Sequence, residues 1–357
     1  MNTIVLPLHS ATGNPRNSEG SFVTLKDGRI LYAWSRYTGE NWGDHCRADI
    51  AGCVSSDDGK TWGPHRILVP NEGQCNVMSV SLLRLQDGRI ALFYVQKNSA
   101  IDCRLRVRFS DDEAQTWTDA VLCQPVSGYL VTNNDRVLQL RDGRLLVPSA
   151  YHRPKSPDGN IEAGIEMHAE ACFFISDDAG ATWREGPQRL RIADTVESGL
   201  QEPGLIERRD GSLYGWARTT DGWQWEFTSH DRGATWSPPQ RSRFAAPCSP
   251  LSIKRIPELN RWIAVWNDPQ APVTSETQWG KNSSWGRTPL ALATSADEGA
   301  TWSAPVLIED DAERGFCYIA IHPVRDAVLL AYCCGGRETA VLQDSCIRRL
   351  APTELPQ

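Results

Sequence analysis

The apolar positions of this chain come as pairs of short runs divided by tight polar turns: LKDGRILYAW, LQDGRIALFY, LRDGRLLVPSA, ERRDGSLYGWA, IPELNRWIAVW and HPVRDAVLLAY. Runs of this length around Asp-Gly or a similar turn read as β-hairpins, because the turn residues supply the backbone conformations that a tight reversal needs. The six turns centre near Gly28, Gly88, Gly143, Gly211, Asn260 and Asp326. Helical periodicity is scarce, and polar stretches such as residues 155–165 read as loops between strands.

A second series interleaves with the first. The pattern S-x-D-x-G-x-T-W recurs as SSDDGKTW from Ser55, SDDEAQTW from Ser110, SDDAGATW from Ser176, SHDRGATW from Ser229 and SADEGATW from Ser295, with Ala114 replacing Gly in the second copy. The Ser and Asp side chains can bond the backbone of their own turn, Gly accepts positive φ, and Trp is large enough to plug the space between sheets. Six hairpins with five such Asp boxes among them predict six sheets of about four strands, an all-β, six-bladed β-propeller. No linker or low-complexity stretch interrupts the series, so residues 1–357 read as one domain.

Topology then selects a working face. Antiparallel strands alternate direction, so the hairpin turns and the Asp boxes share one end of the blades, and segments entering the first strand or following the second lie at the other. Arg16 and Glu202 precede innermost strands, as does Tyr318; Arg36, Asp44, Tyr151 and Arg218 follow second strands, and Arg287 opens the strand leading into the last box. Any one of these alone reads more readily as a solvated loop residue or a surface ion pair. Together they gather polar chemistry at one mouth, where the blades of a propeller converge.

Composition changes this picture little. The 14 Trp and 40% hydrophobic content supply a sizeable core, and no segment approaches the roughly 20 apolar residues of a membrane span. A net charge of -7 without a Lys/Arg run argues against nucleic acid or an anionic membrane as partner. The start MNTIVLPLHS lacks a charged, apolar and cleavable leader pattern, which leads us to expect the cytoplasm. Eleven Cys without CxxC or zinc spacing are expected to be mostly buried thiols, with no metal or organic cofactor.

With these motifs in place, the chain resembles the sialidase (neuraminidase) superfamily of Asp-box (BNR repeat) proteins along nearly its whole length. The resemblance implies an exo-α-sialidase-like glycoside hydrolase in which three arginines grip a substrate carboxylate, a tyrosine is nucleophile with a glutamate as its base, and an aspartate is the general acid. NPRNSEGSFVTLKDGRIL resembles the first arginine segment and implies Arg16; QEPGLIERRDGSLYGWAR implies Glu202 and Arg218; GRTPLALATSADEGATW implies Arg287. FCYIAIHPVRDAVLLAY implies Tyr318 as nucleophile, and GDHCRADIAGCVSSDDG implies Asp44 as acid with Asp49 as runner-up. NDRVLQLRDGRLLVPSAY implies that Tyr151 lines the sugar pocket, with Asn134, Asp135 and Arg36 as further substrate-binding candidates. The expected partner is a sialoside or another acidic glycan. Two alternatives stand beside this reading: a propeller hydrolase or lyase acting on a uronate or keto-deoxy glycan, and a noncatalytic carbohydrate-binding propeller.

Overall fold

In the computed structural model, which describes residues 3–270 and 284–356, each of the six apolar pairs folds as an antiparallel hairpin. The first four turn through Asp-Gly, whose Gly residues have φ of 87–97°. The fifth turns through a short 3-10 helix, Pro257–Leu259, closed by Asn260 in the left-handed region at φ 51°.

The Asp boxes fold as the side-chain chemistry requires. In the first, Asp57 accepts the Thr61 amide at 2.8 Å and the Thr61 hydroxyl at 2.7 Å, while the Ser55 hydroxyl accepts the Gly59 amide at 2.9 Å. The same bonds recur around Asp112, Asp178, Asp231 and Asp297. Ala114 takes the Gly position of the second box at φ 66°, and its methyl is buried with Val23, Leu31 and Leu82.

The described strands form five sheets, not the expected six. Four have four strands each. They begin with Asn17–Thr24, Gln201–Glu207, Ser252–Ile256 and Cys317–Val324, and the last includes the N-terminal strand Thr3–Leu8, paired with Ser345–Leu350. The fifth sheet has nine strands, because Gly128–Val131 pairs in parallel with Asp102–Ser110 and antiparallel with Leu145–Pro154. This join rests on a broken strand: the polar segment between Gly128–Val131 and Leu138–Gln139 leaves the ladder, and the Gly128 amide bonds the Ile101 carbonyl at 2.9 Å.

Apolar packing lies between successive sheets. Trp236 of the fourth box stacks on Phe173 at 4.2 Å between ring centres, and Trp302 of the fifth packs against Phe244 at 5.3 Å. The last such cluster packs Ala320, Leu329 and Ile347 against Phe22, Tyr32 and Trp34, bringing the last hairpin against the first. All eleven cysteines are free thiols, and only Cys46 and Cys75 are not buried.

Candidate active site

Four innermost strands share a local device. Glu19, Ser79, Glu202 and Tyr318 have positive φ (57°, 58°, 45° and 59°), and each sits inside a register shift of its strand pair, Ser18/Ser21, Met78/Ser81, Gln201/Gly204 and Cys317/Ala320. Such a bulge re-aims one side chain out of the alternation of the sheet, at a cost of roughly 1–3 kcal/mol for a non-Gly residue. Here all four are aimed into one cavity of about 310 Å³.

At its centre the Tyr318 hydroxyl donates to Glu202 Oε1 at 3.3 Å, and Glu202 Oε2 lies 3.2 Å from Arg218 Nη1. Arg287 closes the group with its guanidinium 5.5 Å from the Tyr318 ring and its Nη1 3.0 Å from Cys317 Sγ. Burial first, and the Glu202 charge second, push the Tyr318 phenol well above its ordinary pKa against the pull of Arg218 and Arg287. The phenol is therefore protonated at neutral pH, and Glu202 is the carboxylate in contact with it.

Arg16 stands one layer back. It is 1% exposed, rests over the Tyr37 ring at 4.5 Å, and donates to Asp44 Oδ1 at 2.6 Å and Ser18 Oγ at 2.9 Å, with Glu19 Oε2 at 3.4 Å. Asp44 lines the cavity with its side chain 58% exposed. Loss of solvent opposes its ionisation, but Arg16 and then Lys97 outweigh this and hold the carboxyl below the usual carboxylate range. The Asp44 carbonyl is held by Asn76 Nδ2 at 2.8 Å and Lys97 Nζ at 2.7 Å. Asp49, the other acid candidate, does not line the cavity and accepts the Asn71 amide at 2.8 Å.

Of the sequence-selected residues, the structure brings Asp44, Glu202, Arg218, Arg287 and Tyr318 to one cavity with Arg16 behind it, and four others elsewhere. Tyr151 lines a separate cavity of about 220 Å³ under Arg189, and the next residue on its strand, His152, faces the central one. Arg36 does not line the central cavity either, whereas its neighbour Tyr37 packs under Arg16. Both displacements follow from the two-residue alternation of a strand. Asn134 is a brace: its Nδ2 donates to the carbonyls of Gly20 at 2.8 Å and Tyr318 at 3.1 Å. Asp135 faces the far end of the inner strands, where both oxygens lie 2.7 Å from Lys254 Nζ.

Sequence reasoning passed over Glu19, Lys97, Trp42 and Trp285, which also line the cavity. Burial, opposed by Arg16, raises the Glu19 carboxyl from 4.5 to about 6. Its position three residues after Arg16, entering an inner strand as Glu202 does, was the available signal.

Five Asp boxes, together with a tyrosine and a glutamate on inner-strand bulges and two arginines beside them, mark a protein of the sialidase superfamily. The chain belongs to the BNR repeat-like domain family, whose model matches residues 75–330. It is 26% identical over 240 residues to a sialidase of Clostridium perfringens, covering 59% of this chain and 58% of that protein. It is 32% identical over 164 residues to an anhydrosialidase of Macrobdella decora, covering 42% of this chain and 19% of that protein. The chain thus spans less than two thirds of either relative. Among solved structures, an intramolecular trans-sialidase of Ruminococcus gnavus superposes with a TM-score of 0.71 at 15% identity, over 99% of this chain and 98% of that one.

Proposed function

We propose that the chain is a six-bladed propeller acting as a retaining exo-α-sialidase-like glycosidase, which releases a terminal sialic acid or a related 2-keto sugar acid. The observation that carries this reading is the Tyr318 hydroxyl 3.3 Å from Glu202, inside a cavity that Arg218 and Arg287 also line. A sialoside bears its carboxylate on the anomeric carbon, so a neutral phenol approaches where an anionic nucleophile would be repelled. Planar guanidinium forks match that carboxylate in a way lysine cannot.

In the proposed reaction Glu202 accepts the phenolic proton as the Tyr318 oxygen bonds the anomeric carbon. The bond to the leaving oxygen breaks, and Asp44 gives that oxygen its proton. Asp44 then takes a proton from water, which attacks the same carbon while Glu202 returns its proton to the departing Tyr318 oxygen, so the enzyme is restored and the configuration is retained overall. Asp44 in the free protein is ionised against Arg16, the wrong state for an acid. A substrate carboxylate drawn into the cavity by Arg218 and Arg287 would set a second negative charge near Asp44, which moves Asp44 toward protonation.

The first-formed product of a fluorogenic sialoside, followed by NMR before mutarotation, tests this. Retention is expected, and an inverted product, or an unsaturated one absorbing in the near ultraviolet, would overturn it. Because the relatives include proteins named as a sialidase and as an intramolecular trans-sialidase, the same spectra also separate release of the free acid from an intramolecular product.

A further inference from the structure

The inner strands that supply the catalytic cavity run on to a second one. Strand Gln201–Glu207 gives Gln201 and Glu202 to the first and Leu205, Ile206 and Glu207 to the second, which has a volume of about 570 Å³. This is the hairpin end, and Asp135 and Arg136 of the NNDR loop stand there.

The charge of this cavity is unlike that of the molecule. Six cationic side chains line it against two carboxylates, in a chain of net charge -7. Four of the cations have a carboxylate partner: Lys254 has Asp135 at 2.7 Å, Arg141 has Glu207 at 3.2 Å, and Arg209 and Arg255 share Glu298. Two do not. Among the described residues, no carboxylate forms an ion pair with Arg136 or Arg208. Arg136 is 4% exposed; its guanidinium donates to the Leu251 carbonyl at 2.7 Å and Ser252 Oγ at 3.4 Å, lies 5.5 Å from the Trp216 ring, and leaves its buried Nε without an acceptor. Arg208 lies over the Tyr214 ring at 5.2 Å.

A buried guanidinium whose direct partners are neutral carries a desolvation cost that no ion pair offsets. Burial pulls Arg136 down to about 10 in spite of Glu202 and Asp135, which act in the opposite direction. An oxyanion in the cavity would remove that cost, and the walls contributed by Val137, Leu205, Ile206 and Ile253 would cover an apolar body attached to it. We propose that this second cavity binds a small organic oxyanion, with a phosphate or carboxylate head toward Arg136 and Arg208 and a compact apolar body against the strand side chains. The site is separate from the glycosidase cavity and uses none of its residues.

Calorimetric titration of the intact protein at low ionic strength, with phenyl phosphate, benzoate, inorganic phosphate and benzyl alcohol, tests the proposal. Phenyl phosphate and benzoate should compete for one site and bind more tightly than inorganic phosphate, whereas neutral benzyl alcohol should not bind; the stronger of the two acids identifies the head group preferred. Arg208→Ala should weaken binding by about tenfold or more with glycosidase activity unchanged. Arg218→Ala, which damages the catalytic cavity, should leave this binding intact. Arg208 is only partly buried, so its truncation tests the site even if Arg136→Gln fails to fold. The proposal falls if no saturable binding occurs up to about 10 mM, if Arg208→Ala binds as the wild type does, or if Arg218→Ala is the change that abolishes binding.

Discussion

At the scale of single residues, the site is a set of costs accepted for aim. Glu19, Glu202 and Tyr318 hold left-handed backbone conformations that place carboxylate, carboxylate and phenol on one cavity instead of in the sheet alternation. Glu19 gives a test by titration. Its folded pKa of about 6 lies above its ordinary 4.5, so the folded state binds the proton more tightly. Its relative stabilisation is fully present below pH 4.5 and is lost as pH rises through about 6. The gap corresponds to about 2 kcal/mol. Urea unfolding of wild type and Glu19→Gln across pH 4.5 to 7 should show the wild type losing about that much relative to the variant; parallel profiles would deny it. For Asp44, activity rather than stability is the readout. Asp44→Asn should slow natural sialosides by about 10²–10⁴ and activated aryl sialosides much less, because only a poor leaving group needs the proton. Equal losses on both would remove Asp44 from the acid role. The residue types of this site were legible because strand entry points can be located from hairpins alone. Tyr151 and Arg36 were misplaced because a one-residue difference in register turns a side chain to the other face, and nothing in the local pattern fixes that choice.

At the scale of elements, the Asp box shows how a repeat tolerates exceptions. A methyl on Gly180, at φ 92°, would approach the Phe109 ring to 2.7 Å, adding a clash to backbone strain. Gly180→Ala should therefore cost about 1–3 kcal/mol in thermal unfolding. Ala114 already occupies the equivalent place in the second box, where its methyl is 2% exposed within the core. Ala114→Gly should be nearly neutral, since relief of a left-handed Ala is worth about 1 kcal/mol and loss of a buried methyl costs about the same. A large destabilisation by Ala114→Gly would show that packing dominates the box. All six hairpins and five boxes were visible as sequence because their bonds are local. The nine-stranded sheet was not, since the pairing of Gly128–Val131 with Asp102–Ser110 joins two repeats through backbone groups that carry no residue signature.

At the scale of the whole molecule, the first and last strands meet. Thr3–Leu8 completes the sheet of Cys317–Val324, and Val5, Leu6 and Leu8 pack on the cluster that joins that sheet to Asn17–Thr24. If the sheets form a closed ring, Tyr318 is held in place from both ends of the chain. Removing residues 3–8 should then lower stability by roughly 3 kcal/mol from lost apolar burial alone, and should also slow turnover in the fraction that remains folded. Unchanged melting on calorimetry would count against closure. The second cavity belongs to this scale too, because the same inner strands end in an arginine-rich basin away from the Tyr318 cavity.

The role of Tyr318 as nucleophile is tested most directly by comparing wild type with Tyr318→Phe on a fluorogenic sialic acid glycoside, with circular dichroism to verify that both are folded. Release by the wild type is expected, with a loss of at least about 10³-fold when the phenolic oxygen is removed. A folded wild type that releases nothing, or a Tyr318→Phe variant that keeps the wild-type rate, would contradict that role.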